Sequence, residues 1–178
     1  MVQIEIDYQE LENEFINTLS DLGTEDIHSE RGVLATSLND NVSARRMRLL
    51  SNGLTFYAWA NRYARKTEQI LQNPKVSVVV EYIQIDGNAS VMGHPTETPE
   101  FLEAIKKKLP HRYESLTANW RSIKDRVALK IMSTRVALYK YGDLGGLHIL
   151  DVEGKKAYRI QDSDISSRQM DAPIYRKR

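Results

Sequence analysis

Apolar residues recur at helical spacing in a few segments of the chain and alternate with polar residues elsewhere. The first helical segment places Leu11, Phe15 and Leu19 on one face, after an aspartate, Asp7, that suits an N-cap. Pro99 suits the first position of a later helix. The spacing predicts helices over residues 7–23, 65–71 and 98–109, with a less regular fourth segment over 113–123.

Runs of β-branched residues separated by turn signals predict strands between the helices. Asn52-Gly53 is a two-residue hairpin signal, and further turns are predicted at Asp86-Gly87 and Glu153-Gly154. A bulge or bend is expected at residues 133–134. The predicted strands cover residues 32–38, 42–50, 54–60, 76–83, 88–93, 127–141, 147–152 and 155–160. Hairpins of this kind predict an antiparallel, closed sheet, and the pattern alone allows several small barrels.

Composition narrows the class of protein. A chain of 178 residues with 28% charged and 41% hydrophobic residues fits one globular domain. Its net charge of +1 gives no reason to expect a nucleic-acid or membrane-surface partner. The absence of cysteine excludes disulfides and thiolate sites. The N-terminus lacks the features of a signal peptide and no apolar run reaches membrane length, so we expect a cytoplasmic protein.

Four basic residues in one stretch suggest an anion site. Arg46 and Arg48 are two positions apart, so on a strand they project from the same face. Arg65 and Lys66 come at a predicted helix start, where unpaired N–H groups and the helix dipole favour an anion. One hairpin can bring these groups together into a receptor for phosphate. The alternative is a solvated strand face followed by ordinary surface charges on a helix.

The same stretch resembles the pyridoxamine 5'-phosphate oxidase-like family, the FMN-binding split barrels. The resemblance rests on residues 46–50 (RMRLL), 65–66 (RK) and 73–76 (NPKV), in this order and spacing, within a region from Gly32 to about Gly93. It implies a mainly β fold with peripheral helices, an antiparallel split β-barrel of Greek-key type that binds FMN and forms a single domain over residues 1–178. It also implies a homodimer, with flavin bound in clefts between the subunits.

The resemblance further implies which residues contact the flavin. Arg46 and Lys66 would bind its phosphate with Arg65 beside them, and the others would lie along the ring, several of them through backbone groups. The implied cofactor contacts are Arg46, Met47, Arg48, Leu49, Tyr57, Ala58, Arg65, Lys66 and Asn88. It identifies no catalytic residue.

The chain departs from pyridoxamine phosphate oxidases at several positions. Asn88 stands where those enzymes commonly have a longer glutamine, and two extra residues separate Tyr57 from Arg65. Ser51 occupies the position of a lysine that meets the substrate phosphate, and a serine supplies no cation. The C-terminal Arg-x-His substrate motif is absent. The resemblance implies an FMN-dependent oxidoreductase, and these departures predict that its substrate is not pyridoxamine phosphate.

Two other interpretations stay open at this point. The chain could be a non-catalytic flavin-binding or stress-related protein, or a split barrel that takes haem or a deazaflavin. The four histidines, His28, His94, His111 and His148, show no metal-ligand spacing and are interpreted as structural or surface residues. Among them, only His94 follows a strand end in a position that could serve as an axial haem ligand. No metal site is predicted.

Overall fold

The computed structural model describes residues 2–20, 31–141 and 145–161. Its helices are α1 (Tyr8–Leu19), α2 (Arg65–Gln72), α3 (Pro99–Lys108) and α4 (Tyr113–Arg121), with short 3-10 turns at Pro95–Glu97 and Pro110–Arg112. Its strands are β1 (Val2–Ile6), β2 (Arg31–Leu38), β3 (Asn41–Arg48), β4 (Leu50–Asn52), β5 (Thr55–Asn61), β6 (Lys75–Val80), β7 (Ile83–Gly93), β8 (Arg126–Lys140), β9 (Gly146–Asp151) and β10 (Lys156–Gln161).

The strands close into a barrel through antiparallel pairs. β3 pairs with β2 and continues through Leu49 into β4, which pairs with β5. The ring then runs from β5 to β8, β7, β6 and back to β2. β8 has 15 residues. It pairs with β5 along its first half and with β9 along its second, so the sheet divides there. The fold is therefore the predicted antiparallel split β-barrel with peripheral helices.

Two hydrophobic cores hold these elements together. The barrel interior is filled by side chains such as Leu34, Phe56 and Leu129, and α1 packs against it with Phe15. A second core lies between the outer side of β5 and β8 and helices α3 and α4. It includes Leu50, Tyr57, Phe101, Ile105, Leu109 and Trp120. Because both cores are closed by side chains of the chain itself, a large ligand can bind only outside the barrel.

The predicted helix cap at Asp7 is confirmed, and a tight turn joins β2 to β3. Asp7 caps α1, since its carboxylate accepts a hydrogen bond of 2.7 Å from the Glu10 backbone N–H. Asn39 and Asp40 form the β2–β3 turn with positive φ at both residues, as a two-residue hairpin turn requires. Gly23, the predicted end of the first helix, and the polar tail after Gln161 lie outside the described residues.

The predicted single strand over residues 76–83 is wrong. The chain turns at Glu81 and Tyr82, where Glu81 has a φ of 51°, and this turn separates β6 from β7. Neither residue is a usual turn former, so no local signal predicts the break. β1 was also missed. It is held at the edge of the sheet by its pairing with β10, a contact between the two ends of the described chain.

The predicted turn at Asp86-Gly87 is wrong as well, because both residues lie inside β7. The register with β8 shifts between these two residues, and Thr134 on β8 is left without a partner in that ladder. This is the bulge that the sequence predicted at residues 133–134. Gly87 permits the close approach, because a Cβ there would lie 2.5 Å from the Met132 carbonyl oxygen. The glycine therefore marks tight packing rather than a turn.

Candidate functional site

Helix α2 begins directly after β5, and hydrogen bonds hold its first turn there. The Asn61 backbone carbonyl accepts from the Ala64 N–H at 3.1 Å and from the Thr67 hydroxyl at 2.8 Å. Ala64 is the N-cap residue, and no side chain caps the helix. The first N–H groups of α2, at Arg65 and Lys66, therefore point out of the helix without a capping side chain. Together with the helix dipole they favour an anion.

A buried polar network fixes α2 to the β2–β3 hairpin. The Gln69 side-chain carbonyl accepts hydrogen bonds from the hydroxyls of Thr36 at 2.6 Å and Ser43 at 2.8 Å. The Gln69 amide donates to the Asn41 backbone carbonyl at 3.1 Å. Gln69 and Thr36 are almost fully buried, so these bonds replace the hydration that both groups lose on folding. The network sets the position of the helix start relative to β3.

Arg45 on β3 is held on the same face of the hairpin. Its Nη1 donates to the Leu34 carbonyl at 3.1 Å and to the Thr36 hydroxyl at 2.7 Å, and its Nη2 donates to the Ser43 hydroxyl. Three of its five guanidinium N–H groups are thus committed to the protein. Burial, and then the charge of Arg65, lowers the pKa of Arg45. The guanidinium is therefore a fixed positive charge beside the helix start.

Four cations share the space around the start of α2. Burial, and then the charges of Arg45 and Arg126, lowers the pKa of the Lys66 ammonium. Within the described residues, the ion pairs join other side chains, and none involves Arg45, Arg65, Lys66 or Arg126. We call these four residues the cationic cluster. Positive charge that no ion pair to the described residues neutralises is suited to an anionic ligand.

Arg126 reaches the cluster from the first residue of β8. It faces Asn61 in the β5–β8 ladder, and the Arg62 N–H donates to the Asp125 carbonyl at 2.7 Å. The Nε of Arg126 is buried and has no hydrogen-bond partner in the part of the chain that the structure describes. A buried donor without a partner is costly, so its presence requires an explanation.

Arg46 and Arg48 share one face of β3, as predicted, and Arg45 lies on the other face. Arg46 faces Val33 across the β2–β3 ladder, on the outer side of the barrel, and its side chain is exposed. The charges that act on Lys66 are those of Arg45 and Arg126. The structure thus brings Lys66 together with Arg45, and the phosphate contact of Arg46 stays a prediction.

Four residues predicted along the flavin ring have their side chains turned into the two cores. Leu49 and Ala58 are fully buried in the barrel interior, and Met47 packs against it. Tyr57 lies in the second core and faces Leu50 in the β4–β5 ladder. The pairing sets the two predicted segments side by side. Three of these residues are almost fully buried in the chain and Met47 is partly buried, so their contacts with the flavin ring stay predictions.

The Tyr57 hydroxyl belongs to a polar network at the start of α3. It donates to Glu100 at 3.0 Å, and the Lys130 Nζ lies 2.7 Å from the same carboxylate oxygen. The hydrogen bond from Lys130 is the main cause that lowers the pKa of Glu100. Burial, and then the hydrogen bond to Glu100, raises the pKa of Tyr57 to about 12. Tyr57 thus stays protonated at ordinary pH, and its hydroxyl serves the α3 contact.

Asn88 lines a groove of about 550 Å³ along β2, β6 and β7. It faces Lys75, just beyond the C-terminal end of α2, and the eight residues of this helix rise about 12 Å from its start. Thr36, whose hydroxyl accepts a hydrogen bond from Arg45, lines the same groove. The flavin contact of Asn88 stays a prediction.

A cation lies next to Ser51, contrary to the expectation from the sequence. Ser51 is only 2% exposed, and its hydroxyl donates to the Leu19 carbonyl at 2.5 Å. Lys108, at the end of α3, places its ammonium 3.2 Å from that hydroxyl and also donates to the Ser20 carbonyl. The ammonium is therefore engaged with the C-terminal end of α1, where a cation is favoured by the helix dipole.

The histidine that the sequence singled out has a structural role. The His94 Nδ1 accepts from the Thr96 backbone N–H at 3.3 Å, and its Nε2 lies 3.2 Å from the Ile123 carbonyl oxygen. A neutral ring with its proton on Nε2 satisfies both contacts. Over the described ranges, no group of three or more histidine and carboxylate side chains could hold a metal ion.

Sequence reasoning missed Arg45, Gln69, Arg126 and Lys108. Arg45 had a usable signal, because alternation in β3 sets it on the face opposite Arg46, beside the polar Ser43. The position of Arg126 depends on the pairing of β5 with β8, whose residues are about 65 positions apart in the chain. No local pattern predicts a contact of that kind.

Comparison with known proteins identifies the family. A family model described as pyridoxamine 5'-phosphate oxidase matches residues 25–140. The chain belongs to the pyridoxamine 5'-phosphate oxidase family. The matched region runs from before β2 to the end of β8 and contains the whole cationic cluster. Family membership confirms the resemblance on which the sequence interpretation rested.

Solved structures share this fold at low sequence identity. A Listeria innocua protein described as a candidate pyridoxamine 5'-phosphate oxidase is 24% identical, with 72% of this chain and 97% of that chain covered and a TM-score of 0.52. Campylobacter jejuni ChuZ is 14% identical, with 85% of this chain and 63% of that chain covered and a TM-score of 0.60. Burkholderia lata PhzG, in complex with tetrahydrophenazine-1-carboxylic acid, is 12% identical, with 88% of this chain and 93% of that chain covered and a TM-score of 0.57. At such identities the likeness shows the fold alone.

No curated protein matches the chain. None of the helices in the described ranges is both long and apolar enough to cross a membrane.

Proposed function

We propose that this family member is a flavoprotein that binds FMN through its phosphate at the cationic cluster. The observation that carries the proposal is the gathering of four cations at an uncapped helix start, with no ion pair among the described residues to neutralise them. A phosphate monoester carries close to two negative charges at neutral pH. The first N–H groups of α2 add donors in a fixed direction.

The residues of the cationic cluster would contribute to phosphate binding in different ways. Arg45 is fixed by three hydrogen bonds, so its charge is in place before a ligand arrives. Lys66, partly buried beside it, offers a compact ammonium from the first turn of α2. Arg65 is the more exposed residue of the pair and adds charge at the rim. The network around Gln69 keeps these groups in register.

We further propose that the chain is an FMN-dependent oxidoreductase that acts on a small-molecule substrate or electron donor. Bound FMN would supply the electron and hydride transfer chemistry. The chain would anchor the phosphate and present the backbone of residues 47–50 and 57–58 along the ring. The paired strands β4 and β5 support this arrangement, because they bring those two segments together.

Pyridoxamine phosphate is not the proposed substrate. Ser51 is buried, and the ammonium of Lys108 beside it is engaged with the end of α1. A substrate phosphate at this place would have to break the contacts of Lys108 with Ser20 and Ser51. We therefore propose that another small molecule is turned over.

We propose that the flavin lies between two copies of the chain, as a homodimer. The barrel interior is filled, so the ring needs a cleft outside it. The outer face of the hairpin exposes Val42 and, on the neighbouring β6, Val79. β3 ends the order of the main sheet and pairs there with β2 alone. A second copy would cover this face. The lack of cysteine fits a reducing compartment, and we propose the cytoplasm.

The visible absorption spectrum of the purified protein is the first test. We expect the two bands of oxidised flavin, with FMN released on denaturation. A haem spectrum, or a chromophore without phosphate, would overturn the proposal. If FMN is present, NADH or NADPH oxidation with a panel of electron acceptors then separates an oxidoreductase from a protein that only stores or senses the flavin.

A further inference from the structure

We propose that Arg126 binds the cofactor phosphate directly, as the guanidinium of the cationic cluster that makes no side-chain hydrogen bond or ion pair to the described residues. The proposal rests on the proposed function and assigns a binding role to a residue outside every motif in the sequence. It is carried by three observations: the place of Arg126 in the fold, the state of its donors, and a comparison with the other cations on its strand.

The place of Arg126 follows from backbone contacts. Asn61, which faces Arg126 in the β5–β8 ladder, is the residue whose carbonyl holds Ala64 and Thr67 at the start of α2. The next residue, Arg62, is bound to the Asp125 carbonyl. Two neighbouring contacts therefore join the first residue of β8 to the loop that leads into the helix. Arg126 is fixed next to the α2 N-terminus by the fold itself.

The hydrogen-bond donors of the two partly buried guanidiniums, Arg45 and Arg126, differ. Arg45 has three N–H groups bound to the hairpin, so most of its fork is already used. The Nε of Arg126 is buried without a partner in the described ranges, and no hydrogen bond of its side chain to those residues is seen. A planar fork with unused donors matches the oxygen geometry of phosphate. Arg126 is therefore the better placed of the two to bind phosphate, and Arg45 the better placed to fix the site.

The other cations of β8 form ion pairs within the protein, which is the usual structural role of a cation on this strand. β8 carries four cations, and three of them have a carboxylate partner: Lys130 with Glu100, Arg135 with Asp86, and Lys140 with Glu14. Arg126 is the exception among them, and it is set beside another cation, Lys66. Among the described residues, the other three cations of β8 each pair with a carboxylate and Arg126 does not. Arg126 lies at the end of the strand beside the uncapped N-terminus of α2.

The test compares Arg126→Gln and Arg126→Lys with Lys124→Gln, which removes an exposed cation two residues away. FMN and riboflavin dissociation constants are measured by quenching of flavin fluorescence, and the melting temperature of each apoprotein is recorded. We expect Arg126→Gln to raise the FMN dissociation constant about ten- to hundredfold, on the scale of charged hydrogen bonds, and to leave riboflavin binding nearly unchanged. Arg126→Lys keeps the positive charge but loses the paired donors of the planar guanidinium. We therefore expect it to raise the FMN dissociation constant by less than Arg126→Gln does.

The apoprotein supplies an independent readout. Because the side chain is unpaired and faces like charge, Arg126→Gln is expected to melt at the same temperature as the wild type or higher. A marked fall in melting temperature would assign Arg126 to the fold and overturn the proposal. Equal losses for FMN and riboflavin, or FMN losses no larger than those of Lys124→Gln, would also overturn it. If the wild type itself does not prefer FMN to riboflavin, the proposed function fails, a result distinct from the failure of Arg126 alone.

Discussion

The side-chain carbonyl of Gln69 on α2 accepts a hydrogen bond of 2.6 Å from the hydroxyl of Thr36 on β2. Both residues are almost fully buried. This contact joins the helix that carries Lys66 to the hairpin that carries Arg45, and Ser43 donates to the same oxygen. The distance between the cations of the cluster thus depends on one glutamine that bears no charge itself.

Replacement of Gln69 should therefore cost both stability and cofactor affinity. Gln69→Leu leaves the buried hydroxyl of Thr36 and the partly buried hydroxyl of Ser43 without their acceptor, and we expect the free energy of unfolding to fall by about 2 kcal/mol. Urea denaturation of the apoprotein measures this loss. Gln72→Leu is the matched control, because Gln72 is exposed on the same helix and should change stability by less than about 0.5 kcal/mol. Equal losses in the two variants would show that the buried network contributes nothing specific.

The lowered pKa of Lys66 makes the stability of the apoprotein depend on pH in the alkaline range. Burial first, and then the charges of Arg45 and Arg126, depresses the pKa of Lys66 below the ordinary lysine value of 10.5. Between the two values the unfolded chain therefore binds more protons than the folded one. Stability must then rise with pH across that window. We expect the free energy of unfolding to climb towards pH 10.5 more steeply in the wild type than in Lys66→Met.

Bound FMN should reduce that slope, because a phosphate dianion beside Lys66 stabilises its ammonium. Urea unfolding at a series of pH values, with and without FMN, provides the comparison. Identical pH profiles for the wild type and Lys66→Met would mean that burial and the charges of Arg45 and Arg126 do not lower the pKa of Lys66.

Much of the fold could be predicted because its signals are local. Asp7 caps a helix, a glycine turn joins β4 to β5, and helix α2 stops before Pro74, all within a few residues of sequence. The errors arose where the deciding contact was distant. Gly87 looks like a turn residue, but its role is set by the Met132 carbonyl on another strand.

The candidate site was predicted in part for the same reason. Arg65 and Lys66 are next to each other at a helix start, so the sequence shows their shared position. Whether Arg45 or Arg46 joins them depends on which face of β3 turns towards α2, and that is decided by the Gln69 network. Arg126 required the whole barrel to be in place. Charges from distant strands meet only in the folded chain.

Turnover of pyridoxamine phosphate should be poor. The Ser51 hydroxyl is bound to the Leu19 carbonyl, and Lys108 is engaged beside it, so a second phosphate finds no unengaged cation there. A charged hydrogen bond is worth about 1.5–3 kcal/mol, which corresponds to roughly ten- to hundredfold in binding. Steady-state assays should therefore show no efficient oxidation at micromolar substrate. Efficient turnover would mean that Lys108 leaves Ser20 and serves the substrate.

The FMN-loaded protein should be a homodimer. The flavin ring has no room inside the filled barrel, and a second copy offers the missing wall of a cleft. Multi-angle light scattering after FMN loading should give twice the chain mass of 20.5 kDa. A stable monomer that retains FMN would refute the interfacial site while leaving the phosphate site intact.

The central claim, that the cationic cluster holds the flavin phosphate, is tested most directly by the binding of FMN and riboflavin to the wild type and to Lys66→Ala. Loss of this cation should weaken the binding of FMN by about 2 kcal/mol, or roughly thirtyfold in the dissociation constant, on the scale of charged hydrogen bonds. Arg46 lies on the face of β3 opposite Arg45, so we expect Arg46→Ala to weaken the binding of FMN less than Lys66→Ala does. Riboflavin lacks the phosphate, so it should bind weakly to the wild type and equally weakly to Lys66→Ala. If Lys66→Ala weakens riboflavin as much as FMN, the cluster supports the fold or the ring, and the phosphate site lies elsewhere.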